Sequence, residues 1–281
     1  MTTTARTAPE STAAPAATAA SAPPGGSRIG WAVADTLTVT RRNLIVYTRI
    51  PEFIFFSTVQ PIMFVLLFRY VFGGAIRAPG GGPYVDYLMA GIFVQSVAFG
   101  SISTAVGLAE DLQKGLLERF RALPMARAAV LAGRTTADLC RNIFVVIVIT
   151  AVGYAVGFRI GAGVAAFVAG VALVLLFAYA MSWGFAVIGL SAPNSETAQV
   201  MAFPILFPLV FASPAFVPVS TMPGWLRAFA LHQPVGVIIT ATRALMRGGP
   251  TRDPVIEALV WIAGLLIVFV PFAVRQYRRR T

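Results

Sequence analysis

Six long apolar runs constrain this chain more than any other feature of its sequence. They cover residues 53–72, 87–109, 138–158, 164–190, 200–219 and 254–274. Each is roughly 20 residues or more, which at about 1.5 Å per residue crosses a ~30 Å hydrocarbon core. Hydrocarbon offers no partner to backbone N–H and C=O groups, so such runs must be helical. The expected fold is an all-α membrane protein with six transmembrane helices. Composition agrees: 57% of residues are hydrophobic and 12% charged, against about 25% charged in soluble domains. The 281 residues therefore form one bundle rather than one or two soluble domains.

Charge orients the bundle. With six spans, the N-terminal segment, the connection between the second and third runs, and the C-terminal tail share one side. That side holds fifteen of the 22 Lys and Arg residues. Positive loops stay inside, so both termini are expected in the cytoplasm. Arg227, Arg243, Arg247 and Arg252 dissent, but they lie in a long connection, where the rule weakens. The same asymmetry accounts for the formal charge of +11 without a nucleic-acid partner.

The remaining segments divide by composition. Residues 1–27, mostly Ala, Thr, Ser and Pro, cannot bury enough surface to fold and are expected to be a disordered tail. Residues 28–52 interleave Trp31, Leu37 and Ile45 with Arg41, Arg42 and Arg49. That pattern suits a helix lying in the inner interface, with a soluble cytoplasmic helix as the alternative. The fifth run carries Pro204, Pro208, Pro214 and Pro218, each lacking a helix donor. Residues 220–250 are too polar to span and are expected to dip into the outer leaflet as short re-entrant helices. Residues 275–281 form a basic cytoplasmic tail.

Several chemistries lack their parts. One cysteine, Cys140, and one histidine, His232, allow neither an internal disulfide nor a zinc cluster. The single lysine, Lys114, is followed by Gly115, so no phosphate-binding loop forms. His232 has no nucleophile elbow before it. The acids lie in tails and connections, with Asp138 and Glu257 at span ends, which counts against an ion-driven carrier. Arg69, near the outer end of the first span, either snorkels to the interface or lines a pore.

The most informative stretch is the cytoplasmic connection, 110–137. Leu112, Leu116, Leu117, Phe120 and Leu123 recur at helical spacing among charges, and Pro124 ends the pattern. A solvated loop would explain the arginines but not the stripe. The segment from Glu110 through Met125 resembles the coupling-helix region of type-2 ABC exporter permeases of the daunorubicin-resistance branch. Gly133-Arg134, Arg49-Ile50-Pro51, Gln60-Pro61, Val71-Phe72-Gly73-Gly74 and Phe216-Val217-Pro218 match in order. So do Met222-Pro223-Gly224-Trp225-Leu226, Gln233-Pro234 and Arg243-Ala244-Leu245. Arg69 departs from the pattern, since an apolar or aromatic residue is usual there.

The resemblance implies a permease subunit in a bacterial plasma membrane, exporting amphipathic drugs, antibiotics or lipid-like metabolites. It implies a second, identical permease and two copies of a separate ATPase, which would bind the ATP and Mg. A coupling helix would dock on that ATPase through Glu110, Asp111, Leu112, Leu116, Leu117, Arg119, Phe120, Arg121, Leu123 and Pro124. Gln60, Arg69, Gln95, Pro204, Pro208 and Phe216 are expected along the pathway. Trp225, Gln233 and Arg243 are expected in an external cap. A polysaccharide or wall-polymer exporter would share the fold, and an ion-driven carrier remains an alternative.

Overall fold

The computed structural model describes residues 28–49, 51–76, 78–79, 81–116 and 127–280. The expected disordered tail, 1–27, lies outside them. Every regular element among the described residues is helical. In chain order these are α1 (Arg28–Arg49), α2 (Pro51–Leu67) with a π-turn at Phe68–Phe72, α3 (Tyr84–Gly100) and α4 (Ile102–Gln113). They continue with α5 (Arg127–Ala155), α6 (Val164–Ser191), α7 (Ser195–Phe211), α8 (Gly224–His232), α9 (Pro234–Arg247) and α10 (Arg252–Arg280).

α3 is the axis of the bundle. Tyr84, Val85 and every residue from 87 to 98 are buried, as suits a helix apolar on all faces. It bends into α4 at Gly100–Ser101, a Gly/Ser pair of the kind that kinks helices. The bend is held from outside by Arg141, whose Nη2 donates to the Gly100 carbonyl at 2.6 Å, and locally by Ser101, whose Oγ donates to Val97 O at 2.9 Å. α6 packs between α10 and α4, and α1 lies along α5. α10 turns Ile256, Leu259, Val260, Ile267, Val268 and Phe272 outward, an apolar face suited to hydrocarbon.

Among the described residues, five helical stretches are long and apolar enough to cross a membrane: Phe55–Phe72, Tyr84–Gln113, Ala128–Ala155, Val164–Ser191 and Arg252–Arg279. The fifth expected run is the exception. Its helix covers Ser195–Phe211, 17 residues, or about 25 Å, and it stops eight residues before the expected end at 219. Pro204 and Pro208 lie inside α7, but Pro214 has no N–H to give Val210 O. The Ser213 hydroxyl takes that carbonyl instead, and the chain leaves the helix there.

Three other boundaries move. The third helix begins at Arg127, eleven residues before the expected start, so Asp138 lies within it rather than at its end. The last helix runs on through Arg280, so residues 275–280 are its continuation, not a separate tail. The expected coupling helix is interrupted. Glu110, Asp111 and Leu112 are the last turn of α4, which ends at Gln113. Gly115 follows at φ +62, a left-handed conformation that glycine adopts freely past a helix end.

α8 and α9 form a hairpin. Pro234 opens α9, where it lacks only an N–H that no helix start uses, and Gln233 Oε1 accepts from Val235 N at 2.9 Å. At the hairpin turn, Gln233 Nε2 donates to Leu209 O in α7 at 2.8 Å. At the far end of α9, Gly161 N donates to Met246 O at 3.1 Å, in the α5–α6 loop. Fourteen residues, about 21 Å, separate these two levels.

Candidate functional site

Three zones follow one another from one end of the bundle to the other: a buried polar node, a lateral cleft and a clasped loop.

The node gathers α1, α4 and α5. Asp138 is fully buried. Its carboxylate accepts from Tyr47 Oη at 2.5 Å, Thr104 Oγ1 at 2.5 Å and Ser103 Oγ at 3.1 Å. Arg134, one turn earlier on α5, lies 3.9 Å from Asp138 and 3.8 Å from Asp111. Arg42 of α1 donates to Asp111 at 3.3 Å. A buried carboxylate is tolerable only when paired and hydrogen-bonded, and this one is both. The space for Arg134 comes from Gly107, where a Cβ would sit 1.6 Å from Nη2. Burial first, then the Asp138 carboxylate, hold the Tyr47 phenol above its ordinary range.

The cleft opens beside the node, between α2, the α3–α4 bend, α5 and α7. It comprises two adjoining cavities of about 480 and 530 Å³. Gln60, Phe99, Ser103 and Gln199 line both. Gln60 and Gln199 are exposed on this face. An exposed amide within a span is costly against lipid, so the face suits a cavity or a protein contact. Gln95 lies behind Gln60, nearly buried, and its Oε1 has no hydrogen-bond partner among the described residues. Above the cleft, aromatic rings continue along α7 and across to α2. Phe203, Phe207 and Phe211 follow one another at 5.4 and 4.4 Å. Phe211 meets Phe216 at 5.6 Å, and Phe216 stacks on Phe68 at 4.3 Å. Pro204 and Pro208 are exposed on the same helix.

The clasp explains how a chain broken by proline survives here. The carbonyls of Pro214, Phe216 and Val217 take side-chain donors from neighbouring helices in place of helical ones. Tyr84 Oη donates to Phe216 O at 2.7 Å, and Tyr87 Oη to Pro214 O and Val217 O, each at 3.1 Å. Arg243 Nη2 donates to Pro214 O at 2.6 Å and its Nε to Tyr87 O at 3.2 Å. Its guanidinium lies 3.7 Å from the centre of the Tyr87 ring, a cation–π contact. Gly91 admits the loop: a Cβ there would be 2.2 Å from Ala215 O.

The structure therefore brings some expected residues together and separates others. Gln60 and Gln95 meet at the cleft, and Phe216 continues its aromatic wall. Gln233 and Arg243 join the clasp, while Trp225 stands 75% exposed, away from both. Arg69 lies in the π-turn and donates to Val156 O at 3.2 Å, tying α2 to the end of α5 rather than entering the cleft. Glu110 and Asp111 lie at the node's edge, with Leu112 on the same turn and Leu116 just past Gly115. Leu117, Arg119, Phe120, Arg121, Leu123 and Pro124 fall outside the described residues. The sequence reading missed Tyr47, Arg134, Asp138 and Gln199 as site residues. Arg134 and Asp138 carried a usable signal, an opposite pair at i and i+4 within one apolar helix.

Among the described residues, no group of three or more His, Cys, Asp or Glu side chains could hold a metal ion. Comparison with known proteins gives one family model, the ABC-2 type transporter, matching residues 34–246. A daunorubicin resistance ABC transporter permease protein, DrrB1 of Streptomyces coeruleorubidus, is 32% identical over 249 residues. The match covers 89% of this chain and 88% of that one. A probable doxorubicin resistance ABC transporter permease protein, DrrC of Mycobacterium tuberculosis, is 29% identical, covering 88% and 89%. A putative transport permease of Pyropia yezoensis, ycf38, is 23% identical over 74% of this chain and 72% of its own.

Proposed function

The chain belongs to the ABC-2 type transporter family, and from that premise we propose that it forms the membrane pathway of an exporter of amphipathic small molecules, driven by a separate ATPase. It is a permease homologous to drug-resistance ABC transporter permeases. The matched region, 34–246, includes the node, the cleft and the clasp.

In this reading six segments cross the bilayer, the sixth being α7 extended by the clasped loop. α1 lies along the inner interface, both termini are cytoplasmic, and α8–α9 is a re-entrant hairpin in the outer leaflet. Two such chains face each other across the cleft. Each docks on an ATPase through residues 110–124, and the ATPase binds ATP and Mg. The observation that carries the mechanism is the chain of contacts leaving the docking segment. Asp111, on the last turn of α4, reaches Arg134, and Arg134 reaches Asp138 between α1 and α5. A push on α4 therefore moves the wall of the cleft and the α3–α4 bend as one body.

Cargo enters by the cleft. Gln60 and Gln199 meet its polar groups, and the phenylalanine rings of α7 carry its apolar part outward. Co-expression of the permease with its ATPase tests the docking. Arg121→Glu and Leu117→Ala are expected to reduce co-purification of the ATPase at least tenfold while the permease stays folded. Unchanged co-purification would sink the docking reading.

A further inference from the structure

At the clasped end of the bundle lies a second pocket that the export pathway does not use. It has a volume of about 370 Å³ and is walled by Pro79, Thr240, Arg243, Ala244, Arg247 and Gly248. Two guanidiniums, one turn apart on α9, face it together. Like charges at i and i+4 weaken a helix slightly, and an anion between them would relieve that repulsion. Among the described residues neither one pairs with a carboxylate.

Their donors are only partly used. A guanidinium has five N–H groups. Arg243 gives two to Tyr87 O and Pro214 O, and Arg247 gives two to Pro79 O and Gly81 O, at 3.2 and 2.8 Å. Those bonds fix both forks without neutralising them, because a carbonyl carries no net charge. The pocket lies where α9 meets the α5–α6 loop and the backbone of Pro79 and Gly81, at an end of the spans. That is the depth of lipid headgroups, whichever leaflet it faces.

We infer that this pocket binds a phosphate-class oxyanion, held between the guanidiniums of Arg243 and Arg247 and presented by the headgroup of an anionic lipid. Arginine forks match phosphate oxygens in pairs, and basic pockets between membrane helices take anionic headgroups. An anion here neutralises two cations and ties α9 to Pro79 and Gly81. The inference does not depend on what the chain transports.

The test uses the full-length permease in nanodiscs of pure phosphatidylcholine, or with one third phosphatidylglycerol, and follows the melting temperature. The native chain is expected to melt several degrees higher with phosphatidylglycerol. Inorganic phosphate added to phosphatidylcholine discs separates the sources: a comparable rise there assigns the same site to free anion. Ala244→Glu places a carboxylate in the pocket without replacing either arginine. It is expected to fold as well as the native chain and to lose the dependence on phosphatidylglycerol or phosphate. Arg247→Gln is expected to lose it too. A native chain indifferent to both anions, or a rise that survives in Ala244→Glu, would overturn the site.

Discussion

At the scale of single residues, the molecule turns on Asp138. Three hydroxyls and one arginine converge on a carboxylate that no water reaches. Replacing one partner of such a set leaves the others charged and buried, which costs more than the set contributes. Asp138→Asn keeps the shape and removes the charge, leaving Arg134 to Asp111 alone. The expected loss is about 3–5 kcal/mol, read as a fall in melting temperature in detergent. Tyr47→Phe removes one hydrogen bond to the carboxylate and should cost about 1.5–3 kcal/mol. Equal, small effects from the two variants would show that Asp138 is solvated rather than buried. Sequence alone placed this aspartate at a span end, because the apolar run begins there. The helix starts eleven residues earlier, and in that stretch Arg134 turns toward α4 and Gly133 packs against α1 rather than facing lipid.

At the scale of elements, α7 and its loop carry the most specific lesson. Proline marks a lost donor but not whether the helix continues. Pro204 and Pro208 are carried within α7, whereas the chain departs before Pro214. What decides is who takes the freed carbonyls, and that depends on residues far away in sequence: Tyr84, Tyr87, Gln233 and Arg243. Sequence reading could expect a broken fifth span and short helices after it. It could not find these partners. Gly91 is a sharper test of the clasp than any of them. A Cβ at that position collides with backbone, not with a movable side chain. Gly91→Val is therefore expected to open the 212–218 loop, with faster proteolysis at residues 212–218 and a lower melting temperature. A protease pattern like that of the native chain would contradict the clasp. The coupling segment shows the opposite case. Lys114-Gly115 is a readable helix stop, yet the apolar stripe runs straight through it. Two helical signals in one register conceal the turn between them.

At the scale of the whole molecule, the apolar runs give the bundle, and the family match gives its use. The runs were legible because hydrocarbon leaves the backbone few alternatives. The cleft was only half legible. Gln60 and Gln95 stood out as polar residues in apolar runs, but Gln199 sits one turn inside α7 and reads as part of its polar start. The aromatic wall over the cleft joins three segments that only the fold brings together.

We propose that this pathway works only with an ATPase supplied by another chain. The direct measurement is uptake of a fluorescent amphipathic small molecule into inverted proteoliposomes holding the permease with or without its co-expressed ATPase. Uptake is expected to require both chains and ATP, and to fall to background with Arg121→Glu. Uptake by the permease alone, driven by a proton gradient without ATP, would contradict it.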